Sequence, residues 1–253
     1  MIYNPFLMAA AVIPAVILLV KVYKSDKSEK ESKGLLLSLV ILGIISTFIA
    51  IVAENIGQSI LNSFLKEGTV LYNLLMYYIV VGMSEEGAKY LLLKKRTWKS
   101  QEFNYLFDGV VYAVFVSLGF ALWENIAYVG QYGFSTAVAR AVTAIPGHAS
   151  FGVFMGCYYS YAKRAYNRGQ LAKSKSLRIK AFLIPAFIHG TYDFLTTFET
   201  YLSSLVFLVF VIILFITAYR RVNTLSKNDR SIQYHTIEPA YWNFTGDNRN
   251  NLF

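Results

Sequence analysis

Cysteine is nearly absent. The 253-residue chain has one, Cys157, so no internal disulfide can form and the disulfide-stapled secreted classes are excluded. Proline is scarce as well, at five residues, which leaves little room for long linkers or mucin-like stretches. Charged residues make up 15% of the chain, against about 25% in soluble domains. There is no internal repeat of the kind transporters often carry. The GxSxG elbow of serine hydrolases, the GxGD aspartyl pair and the HExxH zinc helix are all missing.

What is present is apolar. Hydrophobic residues account for 55% and aromatic residues for 16%, and the mean hydropathy is +0.42. A soluble globule could not hide this much apolar surface, and a disordered chain would not contain it. The composition predicts an all-α polytopic membrane protein. Residues 1–221 read as a single transmembrane domain and 222–253 as a polar cytoplasmic tail that includes Trp242 and a terminal Leu252-Phe253.

A membrane helix needs about 20 mostly apolar residues. Seven runs qualify: Ile2–Tyr23, Leu35–Ala53, Val70–Leu93, Gly109–Val129, Val138–Ala162, Ile179–Phe198 and Tyr201–Tyr219. The first lacks a basic n-region and a small-residue cleavage site, so it reads as a span and not as a signal peptide. The polar gap between the last two is short enough to predict a tight hairpin. Net charge is +9, but the basic residues cluster in alternate gaps between the runs, the second gap holding only Lys66. Lys24, Lys27, Lys30 and Lys33 follow the first run; Lys94, Lys95, Arg96 and Lys99 follow the third. Lys163, Arg164, Arg168, Lys173, Lys175 and Arg178 follow the fifth, and Arg220, Arg221, Lys227 and Arg230 follow the seventh. That bias predicts an outside N-terminus and a cytoplasmic C-terminus in a multi-pass protein of the cell membrane. It calls for a lipid bilayer and no nucleic acid; nothing in it fixes an oligomeric state.

Ionisable groups inside a membrane cost on the order of 2.5–3.5 kcal/mol each, so their default reading is functional. Glu85, Glu86 and Lys89 fall in the third run, Glu124 in the fourth, His148 in the fifth, and His189 and Asp193 in the sixth. Glu85 and Lys89 are four apart and can pair on one helix face. Glu86 is rotated by about 100°, so a single salt bridge leaves one carboxylate unexplained. Phe120 and Glu124 share a face, and Asn125 adds a polar group that suits either the site or an interhelical hydrogen bond. His189 and Asp193 are also four apart, which suits either an oriented imidazole or two ligands to one metal. Pro146 beside Gly147-His148 predicts a kink that opens space next to the histidine. At about 1.5 Å per residue, all of these groups fall into one layer near mid-membrane, leaning towards the outer half.

Carboxylates and histidines in a wet cavity suit hydrolysis, with a Glu as general base on water and a histidine or a metal polarising a carbonyl. Spacing alone does not decide between a Zn²⁺ site and a purely glutamate/histidine one. A proton-coupled transporter or channel is the rival from another class.

Four motifs in order then become recognisable: Glu85-Glu86 with Lys89, Phe120 with Glu124-Asn125, His148 beside a proline, and His189 with Asp193. With Phe107-Asp108-Gly109 leading into Ser117-Leu118-Gly119-Phe120, they make the chain resemble the PrsW family of intramembrane proteases, relatives of the CAAX prenyl endopeptidases. The resemblance covers roughly residues 83–194, within a catalytic core at about 70–198. It implies cleavage of a membrane-tethered protein, typically an anti-sigma factor, on its extracytoplasmic side as the first cut of a stress-response cascade. It further implies Glu85 or Glu86 as the water-activating base, with Glu124, His148, His189 and Asp193 as metal ligands or transition-state stabilisers. Lys89, Phe120 and Asn125 would support them. A divalent metal, Zn²⁺ by its ligand types, is implied for a metallo-type site and none for a glutamic one. Processing of prenylated or bacteriocin-type peptides is the enzymatic alternative.

Overall fold

The computed structural model describes residues 4–233. They form nine α-helices and one π-helical segment, with no strand among the described residues. The order is α1 (Pro5–Ser25), α2 (Lys33–Phe64), α3 (Val70–Leu75), the π segment Met76–Val81, α4 (Gly82–Thr97), α5 (Asp108–Tyr132), α6 (Phe134–Val142), α7 (Ala144–Asn167), α8 (Leu171–Thr196) and α9 (Tyr201–Lys227). Side-chain oxygens start several of them. Asn4 caps α1 ahead of Pro5, Ser32 caps α2, Thr69 caps α3, and Thr200 with Ser203 forms a capping box for α9.

Because α3, the π segment and α4 run on as one rod, the described residues build seven long rods, one for each apolar run. Helices α1, α2, α5 and α9 are each long and apolar enough to cross a membrane. The rods of the third, fifth and sixth runs fall short of that measure because they carry the interior polar groups and basic ends. Helix α5 is the hub. Every residue from Asp108 to Ala121 is buried, so an all-round apolar sequence here marks a core helix and not an amphipathic one. Helix α9 instead leaves Leu202, Leu205, Val206, Leu208, Val209, Ile212 and Ile213 exposed, a surface suited to lipid. The α2–α5 crossing depends on facing glycines. A Cβ on Gly119 would collide with the Val40 carbonyl and one on Gly43 with the Val116 carbonyl, so the two backbones meet where only glycine fits.

Two runs depart from the expected spans. The fifth does not begin at Val138: the chain forms the separate short helix α6, breaks at Thr143 (φ −122°, ψ −73°) and starts α7 at Ala144. Pro146 therefore lies in the first turn of α7, where it forfeits no intrahelical donor, and the expected mid-helix kink is absent. His148 lies one turn inside a fresh helix start. The second run, expected to end at Ala53, continues as helix to Phe64. Interspersed polar residues lower the hydropathy there without breaking the helix, and Glu54 thereby joins a spanning element.

The end of the bundle carrying the basic gaps is capped by the Trp98–Phe107 loop and the segment after α9. Leu106 N–H donates to Arg230 O at 3.1 Å, Ile232 N–H to Asn104 O at 2.8 Å and Phe107 N–H to Asp229 Oδ1 at 2.9 Å. Helix α9 and this clasp account for the first residues of the expected tail; Trp242 and Leu252-Phe253 lie outside the described residues. Glu31, in the α1–α2 connection, is buried here and accepts the Tyr112 hydroxyl at 2.7 Å. Burial pushes its carboxyl up to about 7 from 4.5, and the neighbouring Glu102 and Asp26 carboxylates push the same way. A carboxyl raised in the folded state contributes its full stability below about 4.5 and loses it as pH rises through about 7. The purified protein is therefore expected to melt at a lower temperature at about pH 8 than at about pH 5.5. Glu31→Gln should flatten that slope. An unchanged slope in the variant would show that Glu31 is not the titrating group.

Candidate active site

The six ionisable residues singled out from the sequence, together with Lys89, meet in one hydrogen-bonded assembly where α4, α5, α7 and α8 face each other. Directly before α4, the π segment puts an extra residue into one turn and so resets which face Glu85 and Glu86 present. Lys89 is fully buried and engages both glutamates. Its Nζ donates to Glu85 Oε2 at 3.0 Å and to Glu86 Oε1 at 2.8 Å. It also lies 3.2 Å from His148 Nδ1 and 3.8 Å from the centre of the Phe120 ring. One cation thus accounts for both carboxylates, and Phe120 supplies an aromatic face that favours that cation.

The two histidines are held in the same manner. His148 Nε2 lies 2.9 Å from Glu124 Oε2. A carboxylate only accepts, so Nε2 carries the hydrogen and the Nδ1 lone pair faces the Lys89 ammonium. His189 Nδ1 lies 3.0 Å from Glu86 Oε1, while its Nε2 lies 3.3 Å from Asp193 Oδ2 one turn further along α8. The two imidazoles meet edge to face with centroids 5.2 Å apart, and Phe151 stacks on His189 at 4.6 Å. Glu124 therefore fixes the tautomer and orientation of His148, whereas His189 is held in place by a carboxylate at each of its nitrogens.

A cavity of about 440 Å³ opens onto this assembly. Glu85, Glu124, His148, His189 and Asp193 line it, whereas Glu86 and Lys89 do not. Of the paired glutamates, only Glu85 can touch a molecule in the cavity.

Sequence reasoning passed over two participants. Arg140 of α6 donates through Nη2 to Glu124 Oε2 at 2.8 Å and through Nε to Asn125 Oδ1 at 2.9 Å. Asn125 also donates to the Ala11 carbonyl at 2.7 Å, the interhelical hydrogen bond that its sequence reading allowed. The available signal was a lone arginine inside an apolar stretch, on the side whose gaps otherwise hold only Lys66. Glu54 of α2 also lines the cavity; it sat one residue beyond the apolar run as hydropathy bounded it.

Glu85, Glu86, His148 and His189 each offer one ligand atom within 4.8 Å of the others, so together they could hold a metal ion. One observation fits that use: Glu86 Oε2 is buried without a hydrogen-bond partner among the described residues. Two imidazoles and two carboxylates are donors that zinc accepts. Glu124 and Asp193 stand behind the histidines, outside this group of four.

Comparison with known proteins brings relatives along most of the chain. Residues 31–219 match the family model described as PrsW family intramembrane metalloprotease. The chain is 33% identical over 189 residues to Protease PrsW of Geobacillus kaustophilus, covering 75% of this chain and 79% of that protein. It is 33% identical over 210 residues to Protease PrsW of Clostridioides difficile, covering 81% and 84%. It is 30% identical over 224 residues to Protease PrsW of Halalkalibacterium halodurans, covering 88% and 99%. No solved structure matches the chain significantly.

Proposed function

The chain belongs to the PrsW family of intramembrane metalloproteases, and from that premise we propose that it cuts a membrane-tethered protein by water attack at the cavity beside Glu85. As an intramembrane protease it has a protein substrate and works in a lipid bilayer. The substrate class we propose is an anti-sigma factor cut on its extracytoplasmic side, with the N-terminus of the enzyme outside and its C-terminus in the cytoplasm of a multi-pass cell-membrane protein.

The observation that carries this reading is the accessible carboxylate of Glu85 between two carboxylate-gripped histidines in one cavity. Glu85 takes a proton from water as the oxygen attacks the scissile carbonyl carbon, and then returns it to the leaving amine. The Lys89 ammonium, behind Glu85, contributes positive potential where the tetrahedral oxyanion develops, and burial strengthens it. Glu124 and Asp193 hold the histidines, and Arg140 holds Glu124. A divalent metal such as Zn²⁺ would be held by Glu86, His148 and His189 and would supply Lewis-acid polarisation of the carbonyl.

The test compares new N-termini of single-pass membrane proteins in host cells carrying either the wild type or Glu85→Gln. The expected result is at least one protein cut near its outer juxtamembrane region only with the wild type. Identical N-termini, with both forms present in the membrane at equal level, would overturn the proposal.

A further inference from the structure

The cavity contains one carboxylate that the reaction above does not employ. Glu85 pairs with Lys89, Glu124 with Arg140, and Asp193 faces His189. Glu54 lines the same cavity, half-buried, and has neither an ion pair nor a hydrogen bond among the described residues. It shares a helix face with Thr47 and Ile51, seven and three residues back, which line the cavity too. It is therefore turned inward from the lipid side.

A carboxyl in this setting either holds a proton or finds a positive partner, because an unpaired charge in a membrane is costly. The chain itself shows which chemistry the cavity accepts. The Arg140 guanidinium sits 4.2 Å over the Tyr128 ring while bonding Glu124, so a cation is already seated between an aromatic face and a carboxylate. The cavity that Glu54 lines also has Tyr77 and Trp123 in its wall, so a carboxylate and further aromatic faces share one space. Glu54 also lies about 32 Å along α2 from Lys33, at the end of the bundle away from the basic loops. A chain entering from that end would pass it before reaching Glu85.

We infer that Glu54 is a specificity residue that receives a Lys or Arg side chain of the substrate, a few residues from the bond that is cut. The inference rests on the protease reading and narrows the substrate to segments with a basic residue beside the cleavage site. A long basic side chain can lay its stem along the aromatic wall and place its charge on the carboxylate.

The experiment measures binding, so that it does not depend on turnover. Fluorescent juxtamembrane peptides, identical except for Lys, Gln or Glu scanned through the sequence, are titrated onto the Glu85→Gln protein in lipid nanodiscs. A charge-assisted contact predicts that, at one or two positions, Lys binds at least about tenfold more tightly than Gln. Adding Glu54→Gln should erase that ratio, and adding Glu54→Lys should turn the preference towards Glu, with melting temperatures confirming that both remain folded. Equal binding of Lys and Gln peptides at every position, including no binding of either, would overturn the inference. So would a Lys preference that survives Glu54→Gln. Cleavage of the same peptides by the protein with Glu85 intact tests the protease reading separately.

Discussion

Replacing Glu85 by glutamine is expected to lower the rate of peptide cleavage by about 10²–10⁴-fold, the range that general-base catalysis contributes, while the protein stays folded. Glutamine has nearly the volume of glutamate and keeps an oxygen for the Lys89 ammonium, but it cannot take a proton from water. The ammonium still has Glu86 Oε1 at 2.8 Å, so no buried charge is stranded. Unfolding should therefore shift little, and the loss should appear in kcat with KM nearly unchanged. The same change at Glu86 acts differently. Glu86 does not line the cavity; it orients His189 at 3.0 Å and shares Lys89. Glu86→Gln should therefore cost less than Glu85→Gln in kcat. Full activity in Glu85→Gln beside an inactive Glu86→Gln would reverse the two roles.

Lys89→Met carries the largest expected loss of stability. Lys89 is fully buried, and its ammonium is the cation that both Glu85 and Glu86 contact. Methionine fills much of the space but leaves two carboxylates facing each other in a low-dielectric interior. Breaking a buried ion pair from one side costs about 3–5 kcal/mol, because the remaining charge is uncompensated. The cost should largely disappear in Lys89→Met/Glu85→Gln/Glu86→Gln, where the charges go together and polar, similar-sized groups remain. Chemical unfolding in detergent, run on the single and the triple variant, separates the two contributions. A single variant as stable as the wild type would mean that the ammonium does not hold the assembly. A triple variant as weak as the single one would place the loss in packing around Phe120 instead of in charge.

The sequence carried much of the site because expensive groups inside apolar runs identify themselves. Glu85, Glu86, Glu124, His148, His189 and Asp193 are conspicuous against their neighbours, and the helical rise alone puts them at one depth. Spacing of four also anticipated the Glu85–Lys89 and His189–Asp193 contacts. Arg140 and Glu54 escaped notice because each sits near the edge of a run, where a charge reads as a loop residue. What brings them in is the break at Thr143, which frees α6 to place Arg140 on Glu124, and the continuation of α2 past Ala53.

Composition, run length and charge bias were enough by themselves to determine a helical membrane protein and to single out most of the ionisable residues that meet in its interior, because transfer free energies act residue by residue. The division of labour among those residues was decided only by tertiary structure. That Lys89 serves both glutamates, that Glu85 faces the cavity while Glu86 is sealed behind it, and that Glu124 and Asp193 grip histidines depend on which face each helix turns to its neighbours. Helix rotation follows from a π segment, from glycine-lined crossings and from helix breaks. These are the outcome of packing between segments far apart in the chain, which no local pattern encodes.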